Sequence, residues 1–109
     1  MTIFTTGSDR AALITGLIDL ATFLAVHPDV PIASAEGYTA RVELGIYPAG
    51  TMTERCDDVD AIAAQIGEAA QTPEGRTHYV TERHFGPVSY KAVAIAPKPA
   101  LVQPAVRAA

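Results

Sequence analysis

From Arg10 to Val26 the apolar residues fall at Leu13, Leu17, Leu20 and Leu24, beside Ile14, Ile18 and Ala21. Spacing of four, three and four marks one face of a helix with a wide flank. Ser8 or Asp9 offers an N-cap oxygen, and His27-Pro28 ends the segment because the residue before proline is pushed away from the helical region. Gly16 inside it costs about 1 kcal/mol relative to alanine and suits close approach by a sheet. This helix is expected to be the main core element. Tyr38 to Tyr47 then alternates, with Ala40, Val42, Leu44 and Ile46 pointing one way and Thr39, Arg41, Glu43 and Tyr47 the other. Period two with one polar face predicts a strand that covers a core on one side. Thr51 to Arg55 reads as a linker or a frayed turn. Asp57 and Asp58 then mark a second helix start, where carboxylates offset the positive dipole end. Its stripe is Val59, Ile62, Ala63, Ile66 and Ala70, and Thr72-Pro-Glu-Gly75 stops it.

Two β-rich runs flank Phe85-Gly86-Pro87. One holds Tyr79, Val80 and Thr81, the other Val88, Tyr90, Val93 and Ile95, and together they predict a hairpin. The facing of the first run is open, with apolar and polar residues on both sides. The second carries apolar residues on both faces, as a central strand would. The order is helix, strand, helix, strand, strand: an α+β fold with a three-stranded sheet, built as a split βαβ unit plus hairpin. The last strand is expected between the other two and parallel to neither. A right-handed crossover puts the second helix on one face, with the first helix mainly on that same face. Residues 1–96 make one domain, with Ile3 and Phe4 tucked against it. Residues 97–109, with three prolines and no periodicity, read as a disordered or extended tail.

Composition narrows the function classes. The chain has 109 residues, an apolar share of 49 % and a net charge of −4. Without residues 97–109, which carry Lys98 and Arg107 and no acid, six basic groups face twelve acidic ones, a net −6. A body built to hold phosphates would be basic. One cysteine, Cys56, excludes an internal disulfide and fits a reduced, cytoplasmic setting. No apolar run approaches the ~20 residues that span a membrane, and no basic leader precedes an apolar stretch.

The chemistry-bearing residues form no complete set. His78, Glu82 and His84 share a face of one predicted strand, but six residues at ~3.3 Å each place the two histidines roughly 20 Å apart. Cys56 stands beside Asp57 and Asp58, which raise a thiol pKa if close. No phosphate loop, zinc ribbon or nucleophile elbow occurs. No catalytic residue, metal site or cofactor is therefore expected. Arg76, Arg83 and Lys91 are the basic grouping; with His84 and Tyr90 they form the candidate binding set on the hairpin.

Gly16-Leu-Ile-Asp-Leu-Ala-Thr-Phe-Leu24 with His27-Pro-Asp-Val-Pro31, and later Arg83-His-Phe-Gly-Pro-Val-Ser-Tyr90, resemble small proteins from actinobacteria and their phages and integrated elements. The resemblance spans residues 10 to 96 and is looser between 48 and 82. That family carries no assigned activity. The resemblance implies a cytoplasmic accessory protein often found in mobile elements, and it assigns no functional residue.

These readings converge on a non-enzymatic protein that binds another protein or itself. The alternative is a small regulator contacting nucleic acid through the basic hairpin. Self-association is expected as a homodimer through the open sheet face, where Arg41, Glu43 and Tyr47 lie, with Tyr90 or Val93 and Ile95 added by the central strand. Arg41 of one copy would meet Glu43 of the other.

Overall fold

The computed structural model describes residues 7–34 and 36–97. The elements are α1 (Gly7–Val26), β1 (Val42–Ile46), α2 (Met52–Ile66), β2 (Tyr79–Phe85) and β3 (Val88–Ala94). The α+β order read from the sequence holds. Ile3, Phe4 and the expected tail beyond Pro97 lie outside the described residues.

α2 starts earlier than its aspartates suggest. Thr51 caps it: the Thr51 hydroxyl accepts from the Glu54 amide at 3.1 Å, and the Glu54 carboxylate accepts from the Thr51 amide at 2.7 Å. This reciprocal pair is a capping box, so the segment read as a linker or a frayed turn is the ordered first turn. Asp57 and Asp58 fall in the second turn, and Asp58 is buried. The helix also stops sooner, at Gly67, whose left-handed backbone (φ 73°) lets its amide donate to the Ala63 carbonyl.

The strands form one sheet in the order β1-β3-β2. β3 is central as expected, but it runs parallel to β1 and antiparallel to β2, which corrects the expectation that it parallels neither. The connection explains the direction. α2 runs from the Ile46 end of the sheet toward the other end, and residues 67–78 carry the chain back before β2 begins opposite Ala94. On the way Gln71 pairs with Val80 on the outer edge of β2, and the Ala69 carbonyl accepts from the buried Thr81 hydroxyl at 3.0 Å. Gly86 and Pro87 make the two-residue hairpin loop. Proline cannot take a positive φ, so the left-handed position falls to Gly86 (φ 63°), the type II′ arrangement.

Register assigns the faces. Leu44, Tyr90 and Arg83 stand in one row, Ile46, Ala92 and Thr81 in the next, and Ala94 with Tyr79 in a third. All point toward α2. The core is Val59 and Ile62 of α2 against Ala92 and Ala94, flanked by Ile46, Met52, Cys56, Ile66, Tyr79 and Tyr90. Arg55 ties α2 to the sheet, its guanidinium donating to the carbonyls of Gly50 (2.8 Å) and Ile95 (2.9 Å). The opposite face carries Glu43, Ser89 and His84, then Gly45, Lys91 and Glu82, then Val93 and Val80.

α1 forms as a helix of 20 residues but does not supply the core: none of its residues is buried, and it makes no close approach to α2 or to any strand. The 4-3-4 spacing is real, yet Ala11, Ala12, Ile18 and Ala25 leave only a thin polar strip of Thr15, Asp19 and Thr22, too weak to orient the helix. Gly16 meets no neighbouring atom within 4 Å of a built Cβ, so no sheet lies against it. At the C-terminal end the His27 ring stacks on Phe23 (4.3 Å between centroids) and its Nδ1 donates to the Phe23 carbonyl. That is the dipole-facing place for a terminal histidine.

Candidate functional site

The binding set read from the hairpin divides between the two faces, because consecutive strand residues point oppositely. Arg83 and Tyr90 stand on the α2 face. Arg83 donates to the Ile66 carbonyl at 3.0 Å, at the end of α2, and its guanidinium lies 5.2 Å from the Phe85 ring centroid. Tyr90 is half-buried there. Burial raises its hydroxyl pKa, and the nearby Arg10 guanidinium at the start of α1 pulls the other way. Lys91 and His84 stand on the opposite face. His84 Nε2 lies 3.5 Å from the Glu82 carboxylate.

Lys91 and Arg76 do come together, in an open cleft of about 320 Å³ under the second face, with His78, Glu82, Val80 and Val93 around them. Glu82 sits directly opposite Lys91 in the register, so the cleft holds both signs of charge. His78 is engaged locally: its Nδ1 accepts from the Ala96 amide at 2.8 Å. The arrangement has the shape of a shallow surface groove and lacks the concentrated positive charge that phosphate recognition uses.

Tyr79 and Asp60 form a tight side-chain contact, with the Tyr79 hydroxyl donating to the Asp60 carboxylate at 2.5 Å. That bond, then burial, raises the Tyr79 pKa. It joins α2 to β2. Cys56 is a free, half-buried thiol in α2. Among the described residues no three His, Cys, Asp or Glu side chains gather around a point that could hold a metal ion.

The expected interface set is exposed, as is Ile95, but Tyr90 and Val93 are not free to support it. Tyr90 faces α2, and Val93, on the open face, is already buried within the chain. Tyr47 lies just beyond β1 and folds its ring over Gly45, where a built Cβ would come 2.9 Å from it. Arg41 precedes the strand and Glu43 shares a row with Ser89 and His84.

The largest apolar surface is elsewhere. On α1, Leu13, Ile14, Leu17, Ile18, Leu20, Phe23 and Val26 are 42–63 % exposed. A second bare patch lies past the end of α2 on the sheet, where Val42, Val88 and Phe85 stand in one row and are also exposed. Arg10 links the two, sharing a shallow cleft with Ile66, Arg83, Phe85 and Tyr90. Sequence reasoning assigned the α1 face of Leu13, Leu17 and Leu20, with Ile14 and Ile18, to the core. The signal against it was present: between Ala11 and Val26 only Asp19 is charged, and a helix apolar on every side needs neighbours on every side. Despite its length and apolarity, α1 does not meet the requirement for a membrane span, and no helix among the described residues does. No protein-family model, curated protein or solved structure matches the chain.

Proposed function

We propose that this chain is a non-enzymatic, protein-binding accessory or regulatory protein of the cytoplasm, and that α1 is its binding surface. The observation that carries the reading is a 20-residue helix with no buried residue and seven large apolar side chains about half exposed. Fully burying such a side chain contributes about 1.5–3 kcal/mol, so covering the remaining half of seven contributes roughly 5–10 kcal/mol. That is comparable with the ~4–15 kcal/mol that association takes in lost rigid-body freedom. Contiguous apolar surface on this scale marks an interaction site.

Nucleic-acid contact through the hairpin is the weaker reading. Arg83 points away from Arg76 and Lys91, and Glu82 stands opposite Lys91. The test compares the full chain with a Leu17→Glu/Leu20→Glu variant. Because Leu17 and Leu20 are exposed on α1, the variant keeps its circular dichroism and its urea midpoint in dilute solution. It loses its protein partners and its binding of an apolar dye. Equal dye binding and equal partner recovery in the two proteins would refute the assignment of α1.

A further inference from the structure

We propose that the surface covering α1 is α1 of a second copy, the two helices packing antiparallel about a two-fold axis between Leu17 and Leu20. This names the partner for the protein-binding reading above and rests on it.

Leu13, Leu17, Leu20 and Leu24 repeat at the spacing of a coiled-coil seam. Leu13, Leu17 and Leu20 are exposed and Leu24 is partly so. In an antiparallel pair with Leu17 against Leu20 of the second copy, Leu13 meets Leu24. The flanks then match large with small: Ile14 meets Ala21, and Gly16 meets Phe23. Gly16 has open space where a Cβ would stand, which is where the second copy's Phe23 ring would lie. Asp19, the one charge in the middle of the helix, falls outside this seam, so no like charges are brought together.

Antiparallel pairing also reaches the second bare patch. It sets the C-terminal half of one α1 beside the N-terminal end of the other, and that end is where Arg10 adjoins Tyr90 and Phe85. The same helix that pairs with α1 therefore approaches the exposed row of Val42, Val88 and Phe85. Area points the same way. Six large seam and flank side chains per copy, each with roughly 30–60 Å² left to cover, remove on the order of 400–700 Å² in total. Stable interfaces need about 1,200–2,000 Å². The helix pair alone falls short, and the two sheet ends, one from each copy, lie where additional area is needed.

The experiment uses the full chain. Light scattering over a hundredfold concentration range is expected to show a dimer that dissociates on dilution. In a Cys56→Ser background, Ile14→Cys/Ala21→Cys is expected to give a covalent dimer on mild oxidation. Within one helix these two positions lie ~10 Å apart, beyond disulfide reach. Leu17→Glu/Leu20→Glu is expected to raise the dimer dissociation constant at least about 100-fold. Gly16→Leu, whose Cβ has open space within its own subunit, is expected to weaken the dimer too. A dimer that survives these substitutions, or one that gives no covalent product, overturns the proposal. A monomer throughout overturns it as well, and its dye binding then separates the two readings. Dye bound through α1 leaves protein binding standing with a different partner; no dye bound rejects both.

Discussion

Truncating Ile62 to alanine should come close to unfolding the domain, whereas truncating Leu17 should hardly be felt. Ile62 is 2 % exposed and packs between Val59 and the two alanines of β3. Ala92 stands between Ile46 and Thr81 in the central strand, and Ala94 is paired with Tyr79, so they cannot move in to fill a hole. Ile→Ala at a site that cannot collapse costs about 2–5 kcal/mol, and Ile→Val about 0.5–1.5 kcal/mol. A small domain has only ~5–15 kcal/mol in total. Ile62→Val should therefore shift the urea midpoint clearly, and Ile62→Ala should leave little folded baseline. Leu17→Ala is the control. In dilute solution it removes a side chain from an exposed helix and should fall within about 0.5 kcal/mol of the unmodified protein. The assay is urea unfolding followed by circular dichroism, with constant slope as the two-state check. If Leu17→Ala in dilute monomer costs as much as Ile62→Ala, α1 is part of the subunit core and the reasoning fails.

Two further outcomes follow from α2. Thr51→Ala removes the hydroxyl that accepts from Glu54 and should cost about 0.5–2 kcal/mol in the same unfolding assay; no change would mean that the capping box does not hold the helix start. The Tyr79 hydroxyl has its pKa raised by the bond to Asp60, so folding favours its protonated form. Its contribution is complete below the unfolded tyrosine pKa of ~10 and is lost as pH rises through the folded value. Unfolding from pH 8 to 11 should show a steeper loss in the unmodified chain than in Tyr79→Phe, and parallel curves would count against the link.

The facing of β1 was legible because Val42, Leu44 and Ile46 alternate with polar neighbours, and the structure turns those three toward α2. The strand is shorter than its pattern because Thr39 pairs instead with Ala33 in the preceding turn. For β2 the alternation was ambiguous, and only the register with β3 settled it. The binding set divides between the two faces for the same reason: Arg83 and His84 are adjacent in sequence and therefore point oppositely. The start of α2 was present as Thr51-x-x-Glu54, but the paired aspartates six residues on gave a louder version of the same electrostatic signal. For α1, periodicity established the helix and said nothing about what covers it. Leucines at 4-3-4 spacing fit a core stripe and a seam between chains equally well, and the choice depends on distances that sequence does not carry.

The central strand is also the last one in chain order, and this decides when the sheet can exist during synthesis. β1 and β2 are not neighbours; each joins the sheet only through β3. Until residues 88–94 leave the ribosome there is no sheet for α2 to pack on. α1, which forms by local bonds on a microsecond scale, emerges 62 residues before β3 begins, a gap of roughly 3–12 s at about 5–20 residues per second. Through that interval the nascent chain carries a finished apolar helix ahead of an unfinished domain, so neighbouring nascent chains on one message can meet through their helices before any subunit has folded.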